Sequence, residues 1–219
     1  MASFAQGKNV KRVSVVAVSV LLFMSIGEVL TSLKYSMGAV VARVALNQPC
    51  MRQFDDKFHV FVSIAGPHLG MLGSDSNIVG FGQWAFMKWK KIRSLEQLGL
   101  EDSFMLKLSE ESEPLSHFTH LALVSSAEDM YVPAFSARIE LPIGNKSATI
   151  AEMQQNLVKN VLTKVPKLSK IEMSFEFASK RTVRARVDAV LGRAAHIHIL
   201  DSIPLCLSLI LIYAGEWFA

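Results

Sequence analysis

Cysteine is scarce in this sequence. The 219 residues include two, Cys50 and Cys206, which lie far apart and outside any Cys-x-x-Cys pattern. This usage excludes a disulfide framework and a zinc site built on paired cysteines. It is typical of a protein kept in a reducing compartment, so we expect a cytoplasmic location. Because other ligand clusters are scarce too, we expect no bound metal and no cofactor.

Long apolar runs are also absent, although the mean hydropathy is high at +0.32. The two main runs, 13–26 and 203–213, are shorter than the roughly 20 residues that a helix needs to cross a bilayer. A basic segment at 8–12 precedes the first run, which is the arrangement of a signal sequence or membrane anchor. The β-branched residues at 11–16 equally fit a buried strand. Two interpretations stay open for this run, a strand or membrane association through 13–26.

A large excess of one charge is missing as well. Lys and Arg number 23 against 19 Asp and Glu, and the basic residues are scattered. The richest basic clusters, at 88–91 and 180–186, are short, so we expect no nucleic-acid partner. An anionic membrane surface remains open as a partner, because aromatic side chains lie within and around the first cluster.

Ser36-Met37-Gly38 is half of the motif Gly-x-Ser-x-Gly, with Lys34 in place of the first glycine. In that motif the serine lies on a sharp strand-to-helix turn that presents its hydroxyl group at the edge of a sheet. Apolar residues recur with helical spacing between 40 and 45, which predicts a helix after the serine. Ser36 is therefore a candidate nucleophile.

A strand is predicted at 58–64 from its β-branched and aromatic content. It ends in Ala-Gly-Pro-His-Leu-Gly at 65–70, at the edge where sites form in an open α/β sheet. His68 follows Ser36 too closely for the order serine, acid, histidine that this architecture uses. We interpret His68 as a residue that shapes the loop or, with Gly66 and Leu69, lines the substrate pocket.

Asp129 follows a second predicted strand, at 120–124, on a polar turn. A carboxylate in this position can orient a histidine at the edge of the sheet. Glu128 is the competing carboxylate, and Asp129 is preferred because it is the last acidic residue of the turn. An ordinary turn aspartate is the alternative interpretation.

The last polar cluster contains His196, His198 and Asp201. His196 could be the terminal base of a Ser-Asp-His set, or a structural histidine. A metal site is disfavoured because the sequence offers no further strong ligand nearby. Before this cluster, residues 171–177 alternate apolar and polar side chains and predict a half-buried strand.

Five blocks stand in one order: Ser36-Met37-Gly38, 63–70, Trp89-Lys90-Lys91, 125–133 with 136–140, and 192–202. Together they resemble the serine esterase (lipase-like, DUF676-type) domain of the "family with sequence similarity 135" proteins, in the α/β-hydrolase superfamily. The resemblance covers most of the chain, from about Ser36 to Ser202. It implies a three-layer α/β fold, with a mostly parallel sheet flanked by helices. It also implies a serine hydrolase that acts on acyl esters, those of lipids included.

The resemblance also implies roles for individual residues. Ser36 would be the nucleophile, Asp129 the acid and His196 the base, in the chain order that the superfamily uses. His196 would take the serine proton, and Asp129 would hold the imidazole in the required tautomer. The backbone N–H of Met37 would donate to the oxyanion.

The strands that precede the serine in that family have no match before Ser36, so we expect a fold that lacks its first strands. Residues 1–34 are predicted to be a divergent segment, with a strand at 11–16 followed by an insertion or a membrane-targeting run. Residues 35–219 would form a partial hydrolase domain. The rival hypothesis is a truncated hydrolase-like domain without activity, which binds a partner or a membrane.

Overall fold

Strands and helices alternate along the described part of the chain. The computed structural model describes residues 14–18, 20–26, 29–70, 102–129, 132–145 and 147–174. The strands are β1 (Ser14–Val18), β2 (Val20–Ile26), β3 (Val29–Tyr35), β4 (Phe58–Ile64), β5 (His120–Ser126) and β6 (Lys167–Met173). The α-helices are α1 (Met37–Leu46), α2 (Asp102–Glu110), α3 (Ala134–Arg138) and α4 (Ala148–Leu157). Two 3-10 helices, Pro49–Lys57 and Glu113–His117, and a π-helical turn, Val158–Leu162, lie between them.

Four strands, β3 to β6, lie parallel to one another in chain order. Ser32 is the Cα partner of Phe61, which in turn is opposite Leu121 on β5. His120 is opposite Lys167 on β6. On the other side of β3, β1 is parallel to β3 and forms an antiparallel hairpin with β2. The described residues therefore have the predicted α/β fold with a mostly parallel sheet, and β3, β4 and β5 end at one edge.

The strand that leads into Ser36 is β3, at Val29–Tyr35. The residues between the predicted strand at 11–16 and Ser36 are expected from the sequence to be an insertion or a membrane-targeting run. β3 lies within that interval and joins the serine directly, and the interpretation of the interval as an insertion stays a prediction. The predicted strand corresponds to β1, at Ser14–Val18, which pairs with β3 as a parallel neighbour. The division of the chain at residue 34 into two parts stays a prediction.

The apolar run at 13–26 forms β1 and β2 where the structure describes it. Of the two interpretations of this run, a strand or a membrane-associated segment, the described residues agree with the strand. Within the described ranges, no helix combines the length and the apolar character that a membrane span requires.

The sheet is buried on both faces around β4 and β5. On one face, Phe61, Leu121 and Leu123 belong to a core cluster with residues of α1, α2 and α4. On the other face, Val62 and Val124 belong to a second cluster. All seven residues of β5 are buried, which explains the continuous apolar run at 121–124 in its middle. This packing fixes the positions of the strand ends from which the candidate site is built.

β6 begins four residues earlier than the sequence predicted. The strand spans Lys167–Met173, whereas the alternating pattern predicted 171–177. Its even-numbered residues are exposed, and two of them form ion pairs at the end of α3 and just after it: Glu172 with Arg138 at 2.9 Å, and Lys170 with Glu140 at 2.9 Å. The lysines at its start therefore belong to the strand rather than to the connection before it.

Candidate active site

Ser36 occupies the turn between β3 and α1 with φ 52° and ψ −128°. A positive φ is sterically costly for a residue with a side chain and is held only where the surrounding structure enforces it. Here the Ser36 N–H donates to the carbonyl of Ile64 at 2.8 Å, and the Ser36 carbonyl accepts from Ala39 N–H at 3.0 Å. The serine is thus tied both to the end of β4 and to the first turn of α1. This is the strained strand-turn-helix geometry of a nucleophile elbow.

Met37 is the first residue of α1. The N–H groups of the first turn of a helix have no acceptor within the helix, and the helix dipole favours negative charge beside them. A Met37 N–H in this position has the chemistry that an oxyanion donor requires. Its role in catalysis stays a prediction.

Asp129 lies in the turn after β5, with 6% of its surface exposed. Its N–H donates to the Ser126 carbonyl at 3.3 Å, and its Oδ1 accepts from Val132 N–H at 3.1 Å. Glu128 is turned towards other partners, since its carboxylate accepts from Ser126 Oγ at 2.6 Å and from Ser174 Oγ at 3.0 Å. Of the two competing carboxylates, Asp129 is the one buried at the edge of the sheet.

Ser36 and Asp129 follow β3 and β5, which are the two neighbours of β4. Neighbouring strands lie about 4.8 Å apart, so the ends of β3 and β5 are separated by about 10 Å. That distance suits one imidazole ring between a serine and a carboxylate. The histidine predicted for this place, His196, lies outside the described residues, as do His198 and Asp201.

The loop at 65–70 passes very close to α1. A Cβ atom on Gly66 would lie 2.3 Å from Ser63 Oγ and 2.7 Å from Ala39 Cβ, so only glycine fits. Ala65, just before it, has φ 49°, and its N–H donates to the Val124 carbonyl at 2.8 Å. β3 and β4 therefore each lead into a residue with a sterically costly backbone conformation, Ser36 after β3 and Ala65 after β4.

His68 is fully buried, and its Nε2 lies 2.8 Å from Ser63 Oγ. Burial, together with the smaller effect of the Arg43 charge, lowers the pKa of His68 to about 3. The ring is therefore neutral at pH 7. Leu69 is buried in the main core cluster. These contacts agree with a loop-shaping role for His68, while the lining of a substrate pocket by Gly66, His68 and Leu69 stays a prediction.

The low pKa of His68 predicts that acid weakens the fold through this residue. The unfolded chain takes up a proton near the ordinary value of 6.5, whereas the folded chain does so near 3. The contribution of His68 to the free energy of unfolding is fully present above pH 6.5 and is lost as the pH falls from 6.5 towards 3. Between pH 7 and pH 5 we expect a loss of about 2 kcal/mol from His68 alone.

The matched variant for this prediction is His68→Gln, whose amide can still bond Ser63 but does not titrate. Urea unfolding of both proteins at pH 7, 6 and 5 measures the difference, and groups that titrate in both cancel. The wild-type free energy of unfolding should fall more steeply than that of the variant. Parallel curves over this range would contradict the prediction.

Arg43 was not among the residues that the sequence singled out. It lies on α1 with 1% of its surface exposed. Its guanidinium donates to the carbonyls of His68 and Leu108, both at 3.1 Å, and to Ser112 Oγ at 2.9 Å. Burial lowers the pKa of Arg43, but from a value so high that the group keeps its charge at pH 7. The feature of the sequence that could have indicated Arg43 is its position as the single charged residue within the apolar stretch 39–46.

Ser136 of α3 was missed as well. Its hydroxyl group donates to the Gly70 carbonyl at 2.6 Å and accepts from Leu69 N–H at 3.0 Å. The side chain is fully buried. Nothing in the local sequence distinguishes it from an ordinary helical serine, because both of its partners lie in a distant loop.

No group of three or more His, Cys, Asp or Glu side chains within the described residues could hold a metal ion. The expected absence of a metal and of a cofactor stays a prediction for the chain as a whole.

A comparison with known protein families finds a match for this part of the chain. The model described as "Putative serine esterase (DUF676)" matches residues 28–139, just over half of the chain. The match begins one residue before β3 and ends one residue after α3, so it includes Ser36, the loop at 65–70 and Asp129. No solved structure matches the chain. The chain belongs to the DUF676 family, the putative serine esterases.

Proposed function

We propose that this protein is a serine hydrolase of the esterase type, with an α/β-hydrolase fold, that cleaves acyl esters. The observation that supports it best is Ser36 itself, a serine at φ 52° between a parallel strand and a helix. A strained conformation of this kind is costly and is typical of functional sites. The family match covers this serine and describes a serine esterase.

In the proposed reaction Ser36 Oγ attacks the carbonyl carbon of the ester while His196 accepts the hydroxyl proton. Asp129 orients the imidazole and stabilises its cation. The oxyanion that forms on the carbonyl oxygen accepts a hydrogen bond from Met37 N–H. The C–O bond then breaks, the alcohol leaves with the proton from His196, and an acyl-serine remains. Water, activated by the same histidine, hydrolyses the acyl-serine and restores the enzyme.

We propose the ester of a lipid as the substrate class, on the basis of the resemblance to the "family with sequence similarity 135" proteins. Lipid esters have a long acyl chain, and a preference for chain length distinguishes them from small esters. Hydrolysis of p-nitrophenyl acetate, butyrate and octanoate measures this preference. A rate that rises with chain length supports the lipid assignment, and a preference for acetate contradicts it.

A fluorophosphonate probe, which reacts with activated serines, tests the hydrolase activity. We expect the folded chain to be labelled on Ser36 and the Ser36→Ala variant to remain unlabelled. Ser109→Ala is a suitable matched control, because Ser109 is fully buried on α2 and its hydroxyl group bonds Leu106 and Asn156. If the folded, cooperatively melting protein is not labelled, the rival hypothesis of an inactive hydrolase-like domain takes its place.

A further inference from the structure

We propose that Arg43 and Ser136 are positioning residues that couple the nucleophile turn to the acid turn through the loop at 65–70. The inference rests on the proposed function and goes beyond it, since neither side chain belongs to the Ser-Asp-His set. Arg43 joins α1 to the loop, and Ser136 joins the loop to α3. The loop is therefore the connection between the two helices that follow the candidate catalytic residues.

The first contact is on the side of the serine. α1 begins immediately after Ser36, and Arg43 lies two turns further along the same helix. Its guanidinium donates to the His68 carbonyl at 3.1 Å, which is a charge-assisted hydrogen bond in a buried site. Because the α-helix is stiff over this length, a shift of the loop is passed to the turn that holds Ser36.

The second contact is on the side of the acid. Ser136 bonds two successive residues of the loop, Leu69 through its N–H and Gly70 through its carbonyl. α3 follows the turn of Asp129, whose Oδ1 accepts from Val132 N–H. The connection from the loop to the carboxylate is thus a short stretch of chain with hydrogen bonds at both ends.

The loop is stiff enough to pass a displacement from one helix to the other. Its Gly66 has no free space on the side of α1 and Ser63, and its His68 ring is bonded to Ser63. His68 N–H also donates to the Gly66 carbonyl at 2.9 Å. A loose surface loop would absorb a shift of one helix without moving the other.

Packing alone does not explain an arginine at position 43. Burying a guanidinium group is costly unless its N–H groups are paired, and Arg43 Nε has no partner within the described residues. A leucine or methionine would fill the same core without that cost. The three acceptors of Arg43 lie on two different segments: His68 in the loop at 65–70, and Leu108 and Ser112 at the end of α2 and just after it. Directional bonds to fixed backbone atoms hold α1 in one position along its axis, which apolar contacts do less well.

The test compares Ser136→Ala and Arg43→Lys with Ser109→Ala. Ser109 is a matched control, because it is also fully buried and its hydroxyl group donates to a carbonyl, that of Leu106, and accepts one hydrogen bond, from Asn156. We expect Ser136→Ala and Arg43→Lys each to lower the rate constant of fluorophosphonate labelling by about tenfold or more, because a small misplacement of a nucleophile is costly. For a soluble ester, kcat should fall while KM is kept. Ser109→Ala should stay within about twofold of the wild type.

The double variant distinguishes coupling from two separate structural effects. If the loop connects the two helices in series, breaking the second contact adds little once the first is broken. We therefore expect Arg43→Lys/Ser136→Ala to be labelled about as fast as the slower single variant. Any of three results would overturn the proposal. They are losses of labelling rate that multiply in the double variant, labelling of Ser136→Ala at the wild-type rate, and an equal loss in Ser109→Ala.

Hydrogen exchange tests the coupling between the nucleophile turn and the acid turn without depending on enzymatic activity. In Ser136→Ala we expect faster exchange not only at Leu69 N–H but also at Ser36 N–H and Ala39 N–H, which the wild type holds in hydrogen bonds. Faster exchange confined to the loop and α3 would overturn the inference. Absence of labelling in the wild type counts against the proposed hydrolase alone, and the exchange data then decide the coupling.

Discussion

Replacement of Asp129 by asparagine is expected to lower kcat for ester hydrolysis by about 10⁴-fold, with little change in KM. Asparagine keeps the shape of the side chain and can still accept the hydrogen bond from Val132 N–H through its amide oxygen. It loses the negative charge that, in the proposed reaction, stabilises the histidine cation in the transition state, and its NH₂ group would favour the wrong tautomer. The loss appears in kcat because the interaction is made with the cation, which forms only after substrate binds.

Glu128→Gln is the matched control for this prediction. Glu128 is the neighbouring carboxylate, and it accepts hydrogen bonds from the hydroxyl groups of Ser126 and Ser174. We expect this variant to keep kcat within about threefold of the wild type. Steady-state kinetics of both variants on one soluble ester give the comparison. An equal loss in the two variants would contradict the assignment of Asp129, and a loss confined to Glu128→Gln would make Glu128 the acid.

Replacement of Gly66 by alanine is expected to lower the free energy of unfolding by about 3 kcal/mol. The new Cβ atom would lie 2.3 Å from Ser63 Oγ and 2.7 Å from Ala39 Cβ, so the loop or α1 must move. Ala39 Cβ is fixed to the helix backbone, and Ser63 Oγ is held by its buried hydrogen bond with His68 Nε2. The cost is therefore one of overpacking rather than of backbone conformation.

Gly144→Ala isolates the other kind of cost. Gly144 has φ 71°, and a Cβ atom there meets nothing within 4 Å. Its replacement should cost about 1 kcal/mol, the penalty of a positive φ for a residue with a side chain. Urea unfolding measures both variants. If Gly144→Ala proved as destabilising as Gly66→Ala, the close approach of the loop to α1 would not be the cause.

The sequence predicted the central elements of the fold well. β4 was predicted at its observed bounds, and the helix after Ser36 and the strand that became β5 were also found, because continuous apolar segments have few alternatives. β3 was missed. Its sequence, VLTSLKY, mixes apolar and polar residues and does not resemble a strand buried on both faces. Its place became clear only from its pairing with β4.

The candidate site was predicted where a local motif or a family block existed, as for Ser36 and Asp129. Arg43 and Ser136 could not be predicted in this way. Arg43 bonds a carbonyl 25 residues away, and Ser136 bonds an N–H 67 residues away. Backbone groups are present at every residue, so the sequence does not distinguish those that will bond a given side chain. Only the fold shows which of them a buried side chain meets.

The order of the strands has a consequence for the speed of folding. β1 and β2 form a hairpin whose strands adjoin in sequence, and such hairpins close within about 1–10 μs. β4 and β5 pair residues as distant in the chain as Val60 and His120. The entropy of closing so long a loop is lost before any contact compensates for it, which makes this step slow. Until it is complete, the apolar strand Phe58–Ile64 is open to pairing with other chains, so aggregation during synthesis competes with the formation of the sheet.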